Sequence, residues 1–207
     1  MSNYVITIAR GYGSGGKTVG KMLAEQLDIG YHDKDLIRLA SDDSGINENL
    51  FGVLDEQVKG KLFKKSTNIY TGDLINPNSD EFVSDDNLFN YQAKIIKDLA
   101  DTETCVIVGR CADYILRNNP NVIKIFVYAS LKACIKVVVD VCSLSPKDAE
   151  KRIKETDMER STYYKYHTGH KWNNAYNYDL CLDTSELSFD KCAEIIKEYI
   201  AIKRRVE

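Results

Sequence analysis

The feature that most constrains this chain is a glycine-rich segment near its start. Residues 11–18 match the pattern G-x-x-x-x-G-K-[ST] at every fixed position. An apolar, β-branched run at residues 4–9 precedes the segment and predicts a buried strand. A helical pattern follows, with Val19, Leu23 and Leu27 on one face. A strand, a glycine-rich turn and a helix in that order place backbone N–H groups and a positive helix end around phosphate oxygens. The segment therefore predicts a nucleoside triphosphate site.

Each position of this phosphate loop has an expected role. Lys17 supplies a positive charge to the outer phosphates, and the Thr18 hydroxyl is a ligand for Mg²⁺. An N-K-x-D guanine signature is absent from the sequence, which argues against a GTPase. ATP and Mg²⁺ are therefore the expected cofactors. The residues expected to bind ATP are Gly11, Gly13, Ser14, Gly15, Gly16, Lys17 and Thr18.

Composition excludes several classes of function. The formal net charge of −3 leaves no basic excess for general nucleic-acid binding. We find neither an apolar run as long as a membrane span nor a signal sequence, so no membrane association and a cytoplasmic location are expected. The six cysteines lack a C-x-x-C pair and lie mostly in apolar stretches. Reduced core cysteines are therefore expected, rather than disulfides or a metal centre.

Strand and helix patterns alternate along the chain. This alternation predicts an α/β fold with a doubly wound, five-stranded parallel sheet. Residues 43–86 instead are rich in Asp, Asn, Ser and Gly, which is typical of a functional flap or a partly disordered segment. Ser145-Pro146 is a helix-start signal. After the first strand, the predicted strands are residues 29–32, 105–108, 122–128 and 179–183, and helices are predicted at about 34–40, 88–100, 111–117 and 188–203.

Charged residues near the predicted strand ends are candidates for the chemistry. Asp33 ends the second strand and is the acidic candidate near the phosphates. Arg110 follows a buried strand and a glycine, at the edge where open α/β sheets bind ligands. Phosphoryl transfer between two nucleotides brings many negative charges together, and dispersed cations suit that task. The cations expected at separate loop positions are Arg38, Arg110, Arg152, Lys154 and Arg160.

The segment from residue 152 to 172 allows more than one interpretation. Lys154, Asp157 and Arg160 are spaced i, i+3 and i+6, so on a helix they share one face. That spacing suits a catalytic set and an exposed, ion-paired helix about equally. Aromatic side chains up to Trp172 follow, interleaved with lysines and histidines. They fit a base-stacking surface, a dimer contact or the packed root of a flap.

Several segments beyond the phosphate loop form a shared pattern: Ile6–Gly16, Tyr31–Ile37, Val108–Leu116, Thr156-Asp157 with Arg160, Tyr163-Tyr164 and Tyr178–Ser185. This pattern resembles the cytidylate kinase-like family of P-loop nucleoside monophosphate kinases. The resemblance implies one P-loop kinase domain over residues 1–207 in the three-layer α/β/α P-loop NTPase fold. It also implies a helical monophosphate-binding insert at about 34–90 and a lid at about 152–175.

The resemblance assigns roles to individual residues. Asp33, Arg38 and Arg110 match acceptor-binding positions, and Thr18 with Asp33 would hold the metal. Two positions depart from the family pattern. Ile153 stands where the first lid arginine is expected, so Arg152 or Lys154 would substitute, and Cys111 stands where an acidic residue contacts the base. The catalytic set implied is Lys17, Arg110, Arg152, Lys154, Asp157 and Arg160.

The expected function is ATP-dependent phosphoryl transfer to a nucleoside monophosphate, with CMP or dCMP as first choice. Cys111 keeps open a P-loop kinase for another small phosphorylated metabolite. The missing lid arginine at Ile153 and the irregular segment 43–86 keep open a nucleotide-binding regulatory protein without turnover. The expected partner is the small-molecule acceptor, with no nucleic acid.

Overall fold

The fold is organised around a central parallel sheet. The computed structural model describes residues 3–53 and 69–204. Its strands in chain order are β1 (Val5–Arg10), β2 (Gly30–His32), β3 (Cys105–Val108), β4 (Val122–Tyr128) and β5 (Leu180–Asp183). The helices are α1 (Gly16–Leu27), α2 (Asp35–Ser44), α3 (Glu48–Val53), α4 (Asp85–Thr102), α5 (Ala112–Ile115), α6 (Leu131–Cys142), α7 (Pro146–Thr168) and α8 (Phe189–Lys203).

The sheet has the strand order β2-β3-β1-β4-β5, and every pairing is parallel. β1 is central because Val5 aligns with Cys105 of β3 and with Val122 of β4. The predicted five-stranded parallel sheet is confirmed. β3 and β4 span the predicted residues, whereas β2 and β5 each begin one residue later and β1 is displaced by one residue.

Helices cover both faces of the sheet. On one face, Ile6 and Ile8 of β1 pack with Val19 and Leu23 of α1, and α8 lies against α1. On the other face, Val5 and its neighbours pack with aromatic residues of α4 and α7. Alternate residues of β1 therefore enter different cores, as the twofold period of a strand requires. The result is a three-layer α/β/α arrangement.

Serine caps define where four of the helices begin. The side chains of Ser84, Ser130, Ser145 and Ser188 each accept a hydrogen bond from a backbone N–H in the first turn of α4, α6, α7 and α8. Such a bond satisfies one of the N–H groups that a helix start leaves unpaired. The helix start predicted at Ser145-Pro146 is confirmed, with the proline in the first turn.

The segment predicted to be irregular, residues 43–86, contains short ordered pieces. α2 ends at Ser44, α3 follows, and residues 77–84 are turns and bends up to the start of α4. A small core of Ile37, Phe51 and Leu88 joins α2, α3 and α4. The part of the prediction that falls on residues 54–68 lies outside the described residues.

The cysteines and the lengths of the helices bear on two further features. All six cysteines are free, and four of them are buried. The absence of disulfides agrees with the sequence prediction. Among the described residues, no helix combines the length and the apolar composition that crossing a membrane requires.

Candidate active site

The phosphate loop connects β1 to α1, and hydrogen bonds to β4 and to the residue after β5 hold it in place. Gly11 N–H donates to the Val127 carbonyl at 3.0 Å, and the buried Ser14 hydroxyl contacts the carbonyls of Gly11 and Val127. Thr184, after β5, donates to the Ser14 carbonyl at 2.8 Å. Gly13 and Gly15 have φ values of 80° and 77°, in the left-handed region that favours glycine. These contacts hold the loop across the ends of three strands.

Lys17 and Thr18 begin α1 at the open side of the loop. The Lys17 ammonium contacts the carboxylate of Asp33, which is buried just after β2. The exposed Thr18 lines a groove of about 810 Å³ between α6 and the start of α8. Ser185 and Phe189 form the opposite wall of this groove. The structure therefore places the Asp33 carboxylate against Lys17 at the start of α1, where Thr18 is the next residue.

Arg110 lies in a strained turn after β3. Gly109, Arg110 and Cys111 have consecutive φ values of 80°, 56° and 56°. Two adjacent non-glycine residues in the left-handed region cost about 1–3 kcal/mol each, and such strain clusters at functional sites. The turn buries the Arg110 side chain. Its Nε donates to the Asp33 carbonyl at 3.0 Å and its Nη1 to the Gln92 amide oxygen at 2.9 Å.

The middle of α7 contacts the phosphate loop directly. Asp157 Oδ1 accepts a hydrogen bond from the Tyr12 N–H at 2.7 Å. Arg160 Nη1 donates to the Arg10 carbonyl at 3.1 Å and lies 3.7 Å from Asp157 Oδ1. Burial raises the pKa of Asp157, while the Tyr12 N–H and the nearby Arg160 and Arg10 charges oppose that rise. One turn of α7 thus places a carboxylate and a guanidinium over the loop.

Three arginines line one small pocket, which we call the arginine pocket. Arg10 comes from the end of β1, Arg110 from the turn after β3, and Arg160 from α7. All three lie at the carboxyl edge of the sheet, where ligands bind in open α/β folds. The open space amounts to about 20 Å³, which is room for about one water molecule. The remaining walls are Ala9, Gly109, Cys111, Asp113, Tyr163, Tyr164 and Trp172.

A carboxyl group lies in the wall of the arginine pocket. Asp113 accepts a hydrogen bond from the Tyr164 hydroxyl at 2.6 Å, and both side chains are buried. Burial raises the pKa of Asp113 to about 6, although the hydrogen bond from Tyr164 lowers it. Cys111 is buried in the same wall. The pocket therefore contains an acidic group two residues beyond the position where the sequence pattern places one.

A model of the cytidylate kinase-like family matches residues 5–186, which cover the phosphate loop, the Arg110 turn and α7. The chain belongs to this family. No curated protein matches the sequence. The family resemblance inferred from the motifs is thus confirmed.

Solved structures show the same fold. An uncharacterized protein from Eubacterium ventriosum shares 26% identity with a TM-score of 0.70, over 96% of this chain and 99% of that chain. A shikimate kinase from Bacteroides thetaiotaomicron shares 12% identity with a TM-score of 0.55, over 96% and 98%. A shikimate kinase from Acinetobacter baumannii, solved with shikimate, shares 13% identity with a TM-score of 0.51, over 96% and 93%. These structures show that the chain has the P-loop kinase fold, and its membership of the cytidylate kinase-like family supports a phosphotransferase.

Three cations expected in the site lie at its periphery. Arg38 is exposed on α2, where its Nη1 pairs with Asp42 at 3.0 Å. Lys154 is exposed on α7 and pairs with Glu150 at 2.6 Å. This ion pair is the kind of contact that the exposed, ion-paired alternative for the Lys154 spacing predicts. The exposed Arg152 contacts the loop from outside, with its Nε donating to the Tyr12 hydroxyl at 3.1 Å.

Four residues of this cytidylate kinase-like site were not assigned a role from the sequence: Arg10, Tyr12, Gln92 and Asp113. Arg10 carried a usable signal, since it is a cation at the end of a buried strand that leads into the loop. Gln92 lies on α4, eighteen residues before Arg110, and its role depends on how α4 packs. Sequence spacing alone gives no information about that contact.

Among the described residues, one group of at least three His, Cys, Asp or Glu side chains brings its ligand atoms together, and it surrounds His32. His32, Glu103 and Cys105 offer ligand atoms within 4.8 Å of one another. Both imidazole nitrogens already contact carboxylates, Nδ1 to Asp35 and Nε2 to Glu103, each at 2.6 Å. The hydrogen bond with Asp35, supported by that with Glu103, raises the pKa of His32 against the effect of burial. This cluster therefore serves as a hydrogen-bonded clamp between β2, α2 and β3.

Proposed function

We propose that this protein transfers the γ-phosphoryl group of ATP to a nucleoside monophosphate, with CMP or dCMP as the first candidate. The observation that carries the proposal is the convergence of Arg10, Arg110 and Arg160 on one pocket beside the phosphate loop. A triphosphate donor needs the loop alone. Three further guanidinium groups suit a second anionic substrate, because the two reacting molecules repel each other strongly unless their charges are neutralised.

The donor is expected to bind along the loop and the adjoining groove. The backbone N–H groups of residues 15–18, at the positive end of α1, are placed to surround its phosphates. Lys17 neutralises charge on the transferring group. The nucleoside part fits the groove of about 810 Å³ between α6 and α8, where Phe189 offers an aromatic wall. Sites for small ligands commonly measure about 300–1,000 Å³.

The oxygen donors near Lys17 suit Mg²⁺. The Thr18 hydroxyl and the Asp33 carboxylate are hard oxygen ligands of the kind that this ion prefers. The exposed Thr18 side chain is open to the groove, and Asp33 lies against Lys17. The ion would neutralise phosphate charge when bound. We therefore assign Thr18 and Asp33 as its protein ligands.

The acceptor phosphate is expected to contact the mouth of the arginine pocket. Arg110 is held in place by the Asp33 carbonyl and Gln92, so its orientation is fixed before substrate binds. Arg160 comes from α7 and is anchored on the Arg10 carbonyl. Asp157 accepts the Tyr12 N–H and lies beside Arg160, so it couples the position of that guanidinium to the loop. Catalysis then consists of positioning and charge neutralisation.

A second candidate is a kinase for a small phosphorylated metabolite without a base. The observation that favours it is Cys111, whose buried side chain occupies the pocket wall where the sequence pattern places a carboxylate. A thiol is a weak hydrogen-bond donor and does not enforce base selection as a carboxylate does.

The deciding experiment measures acceptor-dependent ADP formation from ATP and Mg²⁺. The acceptors are CMP, dCMP, UMP, AMP and GMP, and ribose 5-phosphate represents the metabolite class. We expect turnover with CMP or dCMP. Lys17→Ala should lower kcat by about 10²–10³-fold, since it removes one preorganised charge. Lys21→Ala is the matched control, because Lys21 is exposed on the same helix and pairs only loosely with Glu25 at 3.7 Å.

The same experiment separates the alternatives. Turnover with ribose 5-phosphate but with no nucleotide would favour the metabolite kinase. If ATP raises the melting temperature by mass action while none of the acceptors is phosphorylated, the proposal fails and a regulatory nucleotide-binding role replaces it.

A further inference from the structure

The arginine pocket is too small for a whole acceptor molecule. Its open space of about 20 Å³ has room for about one water molecule. That space admits one oxygen atom of a phosphate, whereas a nucleoside needs several hundred Å³. The uncharged part of the acceptor must therefore lie in a neighbouring space that opens towards the same arginines.

A larger cleft shares a wall with the arginine pocket. It measures about 570 Å³ and lies between α7 and the ends of β4 and β5. Trp172 lines both spaces, and Gly11 of the phosphate loop lines the cleft as well. We call this space the aromatic cleft, since Phe126, Tyr128 and Trp172 supply its apolar surface. Its volume lies within the range of small-ligand sites.

The lining of the aromatic cleft combines ring faces with polar groups. Trp172 meets Phe126 edge-to-face, with centroids 5.3 Å apart and an interplanar angle of 85°. Phe126 stacks with Tyr128 at 6.2 Å. Asp157, Ser161 and Asn173 supply hydrogen-bonding groups at the rim. A planar heterocycle suits such a lining, because its faces contact aromatic carbons while its edge forms hydrogen bonds.

We propose that the aromatic cleft binds the base of the acceptor nucleotide, against Trp172, while its phosphate contacts Arg10, Arg110 and Arg160. The inference rests on the proposed function and extends it to a base-binding site. Asp157 is placed to contact the base edge: its Oδ1 is engaged by Tyr12, and its Oδ2 faces Gly11 at the cleft wall, 3.8 Å from the position of a β-carbon at that glycine. A carboxylate oxygen accepts a hydrogen bond from an exocyclic amino group, which cytosine carries.

The fluorescence of Trp172 reports base binding directly, since it is the one tryptophan in the sequence. Its fluorescence is titrated with CMP, with the nucleosides cytidine, uridine, adenosine and guanosine, and with ribose 5-phosphate. Free N-acetyltryptophanamide corrects for absorption by the bases. We expect CMP and cytidine to quench the emission by stacking, and ribose 5-phosphate to leave it unchanged. If CMP and all four nucleosides leave the emission unchanged, the cleft does not bind a base.

Two variants test whether the base binds within the aromatic cleft. Ser161→Phe puts a ring into the space that the base is proposed to occupy. It should abolish quenching by CMP and raise the KM for CMP about tenfold or more, while the KM for ATP changes less than about twofold. Thr162→Phe is the matched control, since Thr162 is the next residue of α7 and does not line the cleft. Equal quenching and equal KM values in the two variants would place the base elsewhere.

The two proposals fail in distinguishable ways. Fluorescence quenching by nucleosides that depends on Ser161, together with no phosphorylated acceptor, would retain the cleft and reject the kinase activity. Turnover of CMP with unaltered Trp172 emission would retain the kinase and reject the cleft. Both outcomes are measured with the full chain.

Discussion

At the scale of single residues, two glycines differ in whether an added β-carbon would meet other atoms. Gly15 and Gly45 have φ values of 77° and 72°, so a β-carbon strains both positions. Gly45 has no atom within 4 Å of the position of that carbon, whereas at Gly15 the carbon would overlap the Phe189 ring. Gly45→Ala should lower the free energy of unfolding by about 1–2 kcal/mol, the usual cost of a left-handed alanine.

Gly15→Ala should cost more than Gly45→Ala and should also impair ATP binding, because the ring of Phe189 must move and the loop moves with it. Urea unfolding measures the first effect, and the rise of melting temperature with ATP measures the second. Equal losses in the two variants, with the same ATP response, would show that the contact with Phe189 does not restrict the loop.

Asp113 makes stability depend on pH. Its pKa is about 6 in the folded protein, against 3.8 for an ordinary aspartate, chiefly because it is buried. Between these values the folded state keeps a proton that the unfolded state releases. The free energy of unfolding therefore falls as pH rises from about 4 to about 6, by about 3 kcal/mol in total, and this contribution is constant above that range.

Asp113→Asn tests this dependence, because asparagine stays neutral and still accepts the hydrogen bond from Tyr164. Relative to the wild type, the variant should gain stability from about pH 4 to about pH 6 and then hold a constant difference. Urea unfolding at several pH values provides the measurement. Parallel stability curves for the two proteins would mean that Asp113 titrates normally.

Site residues are predicted well from the sequence where the residues of a motif are adjacent in the chain. The phosphate loop is contiguous, so Gly11 to Thr18 and their flanking strand and helix suffice to recognise it. Asp33 and Arg110 were recognisable because each lies within two residues of the end of a strand. Arg38 and Lys154 were less predictable, since a cation on an exposed helix has the same pattern whether it faces a ligand or a neighbouring carboxylate.

At the scale of elements, the start of α7 depends on one side chain. The Ser145 hydroxyl accepts from the Asp148 N–H at 3.2 Å and donates to the Asp148 carboxylate at 2.5 Å. Ser145→Ala should lower the free energy of unfolding by about 1 kcal/mol, the usual value of an N-cap. Ser143→Ala is the control, because Ser143 ends α6 and caps no helix start. Equal unfolding midpoints in urea would contradict this role.

Elements with explicit boundary signals were the most predictable. β3 and β4 are short apolar runs between polar residues, and their predicted limits match the structure. The start of α7 followed from serine and proline. The short α3 begins after Asn47, whose side chain accepts a hydrogen bond from the Asn49 N–H at 2.9 Å. Its six residues are too few for a long periodic pattern, and they pack against α2 and α4 through Phe51. Tertiary contacts decide helices of that length.

At the scale of the whole molecule, α7 connects the phosphate loop to α4. Asp157 and Arg160 contact the loop, while its last turns pack on α4. His167 stacks on Phe89 with centroids 3.8 Å apart, and burial lowers its pKa to about 3, so it is neutral. The Tyr166 hydroxyl donates to Asp86 Oδ1 at 3.0 Å. These contacts make α7 a strut between the two sides of the site.

Tyr166→Phe tests this strut without changing its apolar packing. Loss of one hydrogen bond to a carboxylate should lower the free energy of unfolding by about 1–2 kcal/mol. Hydrogen exchange should quicken in the last turns of α7 and the first turns of α4, and stay unchanged in β1 and β4, because only the α7–α4 contact is weakened. Tyr176→Phe is the control, since Tyr176 is 97% exposed. If exchange in α4 is the same in both variants, the Tyr166 hydroxyl does not hold α7 to α4, and the strut depends on ring contacts such as those of His167 and Tyr163 with Phe89.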